Sequence, residues 1–427
     1  MPRVDQLYAA VALSILCLGS LSASTNSYIP LCYYLVFVLV FLCLVRLPRI
    51  VGIFSNLKVI DLIPAAILAM WIYGIFLGIV LGNETAYIVR NNAGIIFYLA
   101  YYAGLPICNK PNFVKRILLW AGATVAVFLL IARFLMWWNE DLFGLFCQLV
   151  VGEVAGGGAV SGQRLYSFLT TTMLPLLAYS TFRLIDNPAG LGTPIGVFLG
   201  RVGVVFILGY LVFVSAGSRG FSLAGLYAVG VGGVFGLARN MRRKRGFPLL
   251  LIVSLAILGL VFLRHTGYLS LIVDAFSSQD IGNQKRYEQV EPLMNDLSFL
   301  GRGAGAVVPN LLRSATSPYS NELSFLNLFH KYGVLGFLAV LAYVSTFLLG
   351  LRQARFLRNA DFIVLSLGAL GFLFPALGNP VLFSAISCQL HVLALLSLRG
   401  LGEKPTKSPV SVPLRSRCLV LAPGGTR

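Results

Sequence analysis

The chain has 427 residues, 58% of them hydrophobic and only 11% charged, with a mean hydropathy of +0.84. Soluble domains carry about one-quarter charged residues, so this composition excludes an ordinary globular protein and predicts an all-α polytopic membrane protein. The net charge of +18 does not indicate a nucleic-acid partner, because the basic residues are scattered between apolar runs and not gathered on one face, a distribution that membrane topology explains.

A membrane-spanning helix needs about 20 mostly apolar residues. Twelve stretches qualify in chain order: Leu7–Ala23, Tyr28–Val45, Ile60–Leu81, Gly94–Cys108, Ile117–Trp137, Leu165–Tyr179, Gly196–Val214, Phe221–Leu237, Phe247–Leu263, Leu323–Leu349, Phe362–Leu377 and Val381–Leu398. The first lacks a small-residue cleavage site leading into a soluble domain, and reads as a retained span, not a signal peptide. Residues 1–400 thus form one helical domain with a large polar loop at 264–321, and residues 401–427 read as a disordered, basic tail. Seven cysteines show no CxxC spacing, so neither a metal site nor a disulfide framework is expected.

Short loops rich in Lys and Arg stay cytoplasmic. With the N-terminus inside, the clusters Arg46/Arg49/Lys58, Lys110/Lys115/Arg116, Arg183, Arg239/Arg242/Arg243/Lys244/Arg245 and Arg352/Arg355/Arg358 all fall on the cytoplasmic side. Both termini are then cytoplasmic and the 264–321 loop is external.

Seven arginines fall on the external side against that bias: Arg90, Arg164, Arg219, Arg264, Arg286, Arg302 and Arg313. For Arg90, Arg264 and Arg313 solvation or snorkelling to headgroups is reason enough. A guanidinium fork also grips phosphate in bidentate fashion, as recognition of a lipid diphosphate near the outer interface would require. Within the loop, Asn283 is placed to cap a helix running to about Ser298, with Tyr287, Val290, Leu293, Met294 and Leu297 forming its apolar face. Gly301-Arg302-Gly303-Ala304-Gly305 follows, and its glycines permit positive φ and close backbone approach. It is no Walker motif and follows no strand. Glu322 stands at the opening of the next predicted span. The loop acids Asp274, Asp280, Glu288, Glu291 and Asp296 show no ligand spacing, so no metal or cofactor is expected, and His330 and His391 read as structural.

The order of these motifs carries a resemblance. A span ends in Ser-Ala-Gly-Ser-Arg-Gly (Ser215–Gly220), and the external loop then holds Asn-x-x-Arg (Asn283 to Arg286), Gly-Arg-Gly-Ala-Gly (Gly301–Gly305) and Glu-Leu-Ser-Phe-Leu-Asn-Leu-Phe-His-Lys-Tyr-Gly-Val-Leu-Gly (Glu322–Gly336). Over Ser215–Gly336 this resembles the O-antigen ligase and polymerase superfamily. The resemblance implies a GT-C-like architecture and a glycosyltransferase in a bacterial inner membrane. Its donor and acceptor would be polyprenyl-diphosphate-linked saccharides, with a chain-length regulator as a further partner. It assigns Arg219 and Arg286 to the donor diphosphate; beside them, Arg302, Arg164, Ser218 and Gly303 are candidates for supporting phosphate or sugar contacts. Glu322 stands where ligases carry a histidine, which favours the polymerase branch.

The chemistry of the residue types agrees. A carboxylate such as Glu322 can take the proton of an attacking sugar hydroxyl, and arginines supply fixed positive charge where the leaving diphosphate develops its own. The alternatives are a ligase acting on lipid A-core or protein and, in a different class, a flippase or other transporter. A transporter is expected to carry broken helices and polar residues near the midplane.

Overall fold

The computed structural model describes residues 2–21, 31–54, 57–151, 160–161, 164–165, 169–186, 195–215, 219–242, 281–309, 311, 318–354, 359–378 and 381–401. These residues form a helical membrane protein. In chain order the α-helices are α1 (Pro2–Leu21), α2 (Leu35–Phe54), α3 (Val59–Val80), α4 (Thr85–Arg90), α5 (Leu99–Gly104), α6 (Pro111–Trp138), α7 (Glu140–Val151), α8 (Leu169–Asp186), α9 (Ile195–Gly209), α10 (Arg219–Arg242), α11 (Ile281–Asn295), α12 (Ser324–Tyr332), α13 (Gly336–Gln353), α14 (Ala360–Ala369), α15 (Leu373–Ala376) and α16 (Ala385–Leu401). Two short strands, β1 (Val160–Ser161) and β2 (Arg164–Leu165), pair antiparallel between α7 and α8. Among the described residues, five helical stretches are long and apolar enough to cross a membrane: Val59–Val80, Asn112–Trp138, Gly196–Val214, Gly220–Arg242 and Ser324–Gln353.

Helix overlaps eleven of the twelve stretches expected from hydropathy, and the remaining one, Phe247–Leu263, lies outside the described residues. Several passages are not continuous α-helix. Gly94–Cys108 is built from 3₁₀ turns on either side of α5, α9 runs into a π-helical segment at Tyr210–Ser215, and α14 reaches α15 through a 3₁₀ turn at Leu370–Phe372. The expected span Leu323–Leu349 is broken at Gly333, whose φ of +56° only glycine adopts readily.

The centre of the molecule is α16. It is apolar on nearly every face and Ala385–Arg399 is buried throughout, as the pattern of an all-round hydrophobic helix requires. Its one histidine is held by a complete set of hydrogen bonds. Thr346 Oγ1 donates to the Ala342 carbonyl at 2.8 Å, so it must accept from His391 Nε2, also at 2.8 Å. His391 Nδ1 then accepts from Tyr98 Oη at 2.6 Å. By contrast α9 lies at the periphery, with Val197, Leu199, Val204, Phe206 and Ile207 exposed.

Among the described residues the ion pairs gather at the two ends of the helices. At one end Asp5 on α1 pairs with Arg46 of α2 at 2.7 Å and with Lys110 before α6 at 2.8 Å. Asp61 near the start of α3 pairs with Arg399 of α16 at 2.6 Å and accepts from Tyr101 Oη. Asp361 at the start of α14 pairs with Lys115 at 2.9 Å and Arg239 at 3.1 Å. These ion pairs tie together helices distant in sequence. The opposite end carries Asn83, Asn92, Arg286, Arg302 and Glu322, and it is where the candidate site lies.

Candidate functional site

Arg286 and Glu322 form the centre of this site. Arg286 Nε lies 3.2 Å from Glu322 Oε2 and donates to the Gly378 carbonyl, also at 3.2 Å, while Nη1 donates to Asn283 Oδ1 at 3.3 Å. Both side chains are partly shielded, 29% exposed for Arg286 and 18% for Glu322. The backbone of Glu322 is held as well, because its amide donates to Gln289 Oε1 at 2.9 Å. Gln289 Nε2 donates to the Lys285 carbonyl, which fixes the orientation of that amide group.

α11 therefore presents Asn283, Arg286, Gln289 and Leu293 to the rest of the protein. This corrects the expected apolar face: Leu293 is buried, but Tyr287, Val290 and Met294 are exposed. The Arg286 and Gln289 contacts to Glu322 set the rotation of the helix, overriding its weak apolar periodicity. Asn283 is not the cap either. The helix is described from Ile281 and ends at Asn295, and the Asn283 side chain serves Arg286 instead. Glu322 itself precedes α12, in which Leu323 occupies the N-cap position.

A third element reaches the same corner. Gly220, next to Arg219 at the start of α10, lies against Pro375 of α15 so closely that a Cβ would stand 2.7 Å from the Pro375 Cα. Pro375 is three residues from Gly378, the acceptor for Arg286. The backbone at Gly220 and the Arg286 guanidinium thus both meet residues 375–378, and Glu322 joins them through its ion pair with Arg286. Comparison with family models and with curated proteins gave no match.

The glycine loop has a different role from the one its sequence leaves open. Gly301, Gly303 and Gly305 have φ of +86°, +79° and +78°. Their close approach is to the protein's own helices: a Cβ on Gly303 would meet the Gly78 nitrogen of α3 at 2.4 Å, and one on Gly301 would meet the Lys331 carbonyl at the same distance. The amides are spent on the chain. Those of Arg302, Gly303 and Ala304 donate to the carbonyls of His330 (2.8 Å), Lys331 (2.9 Å) and Gly74 (2.7 Å). The loop is a packing clamp, and its amides at 302–304 offer no anion cradle. Asn83 closes the clamp, donating to the carbonyls of Arg302 and Ala304 at 2.9 Å each.

Arg302 is tied to Asp296 by a 2.8 Å ion pair, and Asp296 also meets His330 Nε2 at 2.8 Å. This Arg302–Asp296–His330 chain fastens the end of α11 to α12. Lys331, fully buried, donates to the Tyr319 carbonyl at 2.6 Å. Burial holds the Tyr319 phenol above its ordinary pKa, with Arg90 opposing the shift and Tyr87 adding to it.

Of the residues expected at the site, Arg286 and Glu322 are brought together. Arg302 stands on the same end in its own ion pair, and Gly303 is in the clamp. Arg164 lies in β2 and Arg219 begins α10, each placed by its backbone, and Ser218 lies outside the described residues. Gln289, Gly378, Asn83 and Asp296 belong to the assembly without having been foreseen. The only sequence signal among them is Gly82-Asn83 at the end of an apolar run, a helix C-cap pattern; Gly82 has φ +74°. Among the described residues no group of three His, Cys, Asp or Glu is placed to hold a metal ion.

Proposed function

We propose that the protein is a membrane glycosyltransferase that joins polyprenyl-diphosphate-linked oligosaccharide repeat units into a surface polysaccharide. The observation that carries this reading is the Arg286–Glu322 pair at the corner where Arg219–Gly220 and Gly378 meet. In the reaction an acceptor sugar hydroxyl attacks the anomeric carbon of the donor, its proton passes to the Glu322 carboxylate, and the bond from that carbon to the diphosphate oxygen breaks. The bonding electron pair leaves with the diphosphate, where Arg219 and Arg286 supply the compensating charge. In the resting state Arg286 is paired with Glu322, and the incoming diphosphate competes for the same guanidinium. Arg302, Arg164 and Ser218 serve the remaining phosphate and sugar contacts, and Gly303 contributes by shaping the loop that carries Arg302.

Around this site we place twelve spans with both termini in the cytoplasm of a bacterial inner-membrane protein. The ion-paired end with Arg46, Lys110, Lys115, Arg239 and Arg399 then faces the cytoplasm, in keeping with the distribution of basic residues, and the Asn83 end is external. The resemblance of Ser215–Gly336 to O-antigen ligases and polymerases supports the same chemistry. The interruptions at Gly333, Gly94–Cys108 and Tyr210–Ser215 and the buried His391 network of α16 are the features that speak for transport, and the Arg286–Glu322 pair is the one that favours an enzyme.

Purified protein in detergent, given a synthetic polyprenyl-diphosphate repeat unit, is expected to produce a ladder of lengthening lipid-linked glycan. Transfer only when lipid A-core is supplied would reassign it as a ligase. Absence of chemistry with either acceptor, in folded protein, would overturn the enzyme reading.

A further inference from the structure

The turn at Phe299–Leu300 is the least expected feature of the loop. Phe299 is 76% exposed and Leu300 58% exposed, yet the backbone around them is anchored deep along the helices. Tyr73 Oη of α3 donates to the Leu300 carbonyl at 2.9 Å, and the Val334 amide, at the break before α13, donates to the Phe299 carbonyl at 2.9 Å. Tyr73 precedes Val80, the last residue of α3, by seven positions, which at 1.5 Å per residue puts the turn about 10 Å below the end of that helix. Measured from the other end, Tyr73 stands about 21 Å along α3 from Val59, inside a hydrocarbon core of about 30 Å.

The flanking surfaces agree with that depth. Ile72, Phe76, Ile79 and Val80 on α3, and Val334 and Phe337 on the other side, are exposed apolar residues of two stretches apolar enough to cross a membrane. Phe299 and Leu300 continue that band. Irregular backbone at membrane depth is tolerated only when its polar groups are satisfied by protein, since lipid offers no partners. That condition is met for the carbonyls of the turn and for the amides that follow it. The carbonyls of Ser298, Phe299, Leu300, Arg302 and Ala304 accept from Gly301, Val334, Tyr73 and Asn83, and the amides of Gly301 to Ala304 all donate within the protein. A water-exposed loop has no need of such satisfaction.

We propose that Phe299 and Leu300 are inserted into the bilayer at the Asn83 end of the molecule, in contact with the acyl chains of bilayer lipids. The turn is a hydrophobic anchor that fixes the depth of the loop, and through the Arg302–Asp296–His330 chain the depth of the C-terminal end of α11 as well. The proposal is independent of the chemistry assigned to Glu322.

It is tested with the full chain in nanodiscs of phosphatidylethanolamine and phosphatidylglycerol, with the photo-crosslinker p-benzoylphenylalanine replacing one residue at a time. The positions are Phe299, Leu300, Phe76 on the lipid-facing side of α3 and Glu84 beyond its end. Phospholipid adducts, identified by mass, are expected at Phe299 and Leu300 at the yield found for Phe76, with at least a tenfold lower yield at Glu84. Adducts at Phe299 and Leu300 no more frequent than at Glu84, or crosslinks from them to other segments of the protein in place of lipid, would overturn the proposal.

Discussion

Arg286 and Glu322 lie 36 residues apart in sequence and 3.2 Å apart in space, and the same guanidinium nitrogen is shared between the Glu322 carboxylate and the Gly378 carbonyl. The sharing makes Arg286 hard to replace. A lysine ammonium is a point charge without a planar fork, and it cannot serve Glu322, Gly378 and Asn283 in their present places. Arg286→Lys is expected to lower saccharide transfer by about tenfold to a hundredfold, and Arg286→Ala by more, since a single positioned donor to developing negative charge contributes about a hundred- to a thousandfold in rate. Initial rates with a lipid-diphosphate donor check both variants, and equal rates for Arg286→Lys and the wild type would remove Arg286 from the reaction.

The glycine clamp makes a prediction about stability. Gly303 and Gly82 both have positive φ, +79° and +74°, but a Cβ on Gly303 would meet the backbone of Gly78 at 2.4 Å while Gly82 has nothing within 4 Å. Gly82→Ala is expected to cost only the conformational term, about 1–2 kcal/mol. Gly303→Ala adds overpacking of about 1–3 kcal/mol. Thermal unfolding midpoints in detergent should therefore fall in the order wild type, Gly82→Ala, Gly303→Ala.

Asn83 donates to two loop carbonyls with one side-chain nitrogen. Asn83→Ala leaves both without that donor, at a cost of about 1–3 kcal/mol. Faster amide hydrogen exchange is expected at Arg302, Gly303 and Ala304, with little change at α16. Uniform acceleration across the protein would show that Asn83 supports the whole fold and not this loop.

At the other end, Asp61 and Arg399 are a buried pair at 2.6 Å. Removing one partner leaves an uncompensated charge, so Asp61→Asn and Arg399→Met are each expected to lose about 3–5 kcal/mol. The double variant should lose clearly less than the sum, measured as the shift in unfolding midpoint. Additive losses would mean that the two groups act separately.

Much of the scaffold was legible from hydropathy, because a segment such as α3 or α6 has no other way to bury twenty apolar residues. The rotation of α11 was not. Its apolar residues are too few to fix a face, and the contacts of Arg286 and Gln289 with Glu322 decide which side turns inward. The break at Gly333 follows Asn327, His330 and Lys331 in the sequence, but the apolar residues around them carry the expected span across it from Leu323 to Leu349. The positive φ of Gly301 and Gly303 was readable as a possibility, but their partners, Gly78 and Lys331, depend on long-range packing that no local pattern encodes. Gly378 contributes only a carbonyl, which any residue carries, so its place at the site had no signature at all.

The measurement that bears most directly on the account is the single-turnover rate of saccharide transfer by purified wild type and Glu322→Gln, with both proteins shown to unfold at the same temperature. The glutamine keeps the shape and the backbone contact to Gln289 but cannot take a proton. The account predicts a rate lower by about a hundred- to ten-thousandfold with the donor still bound. Transfer by Glu322→Gln at the wild-type rate would contradict it.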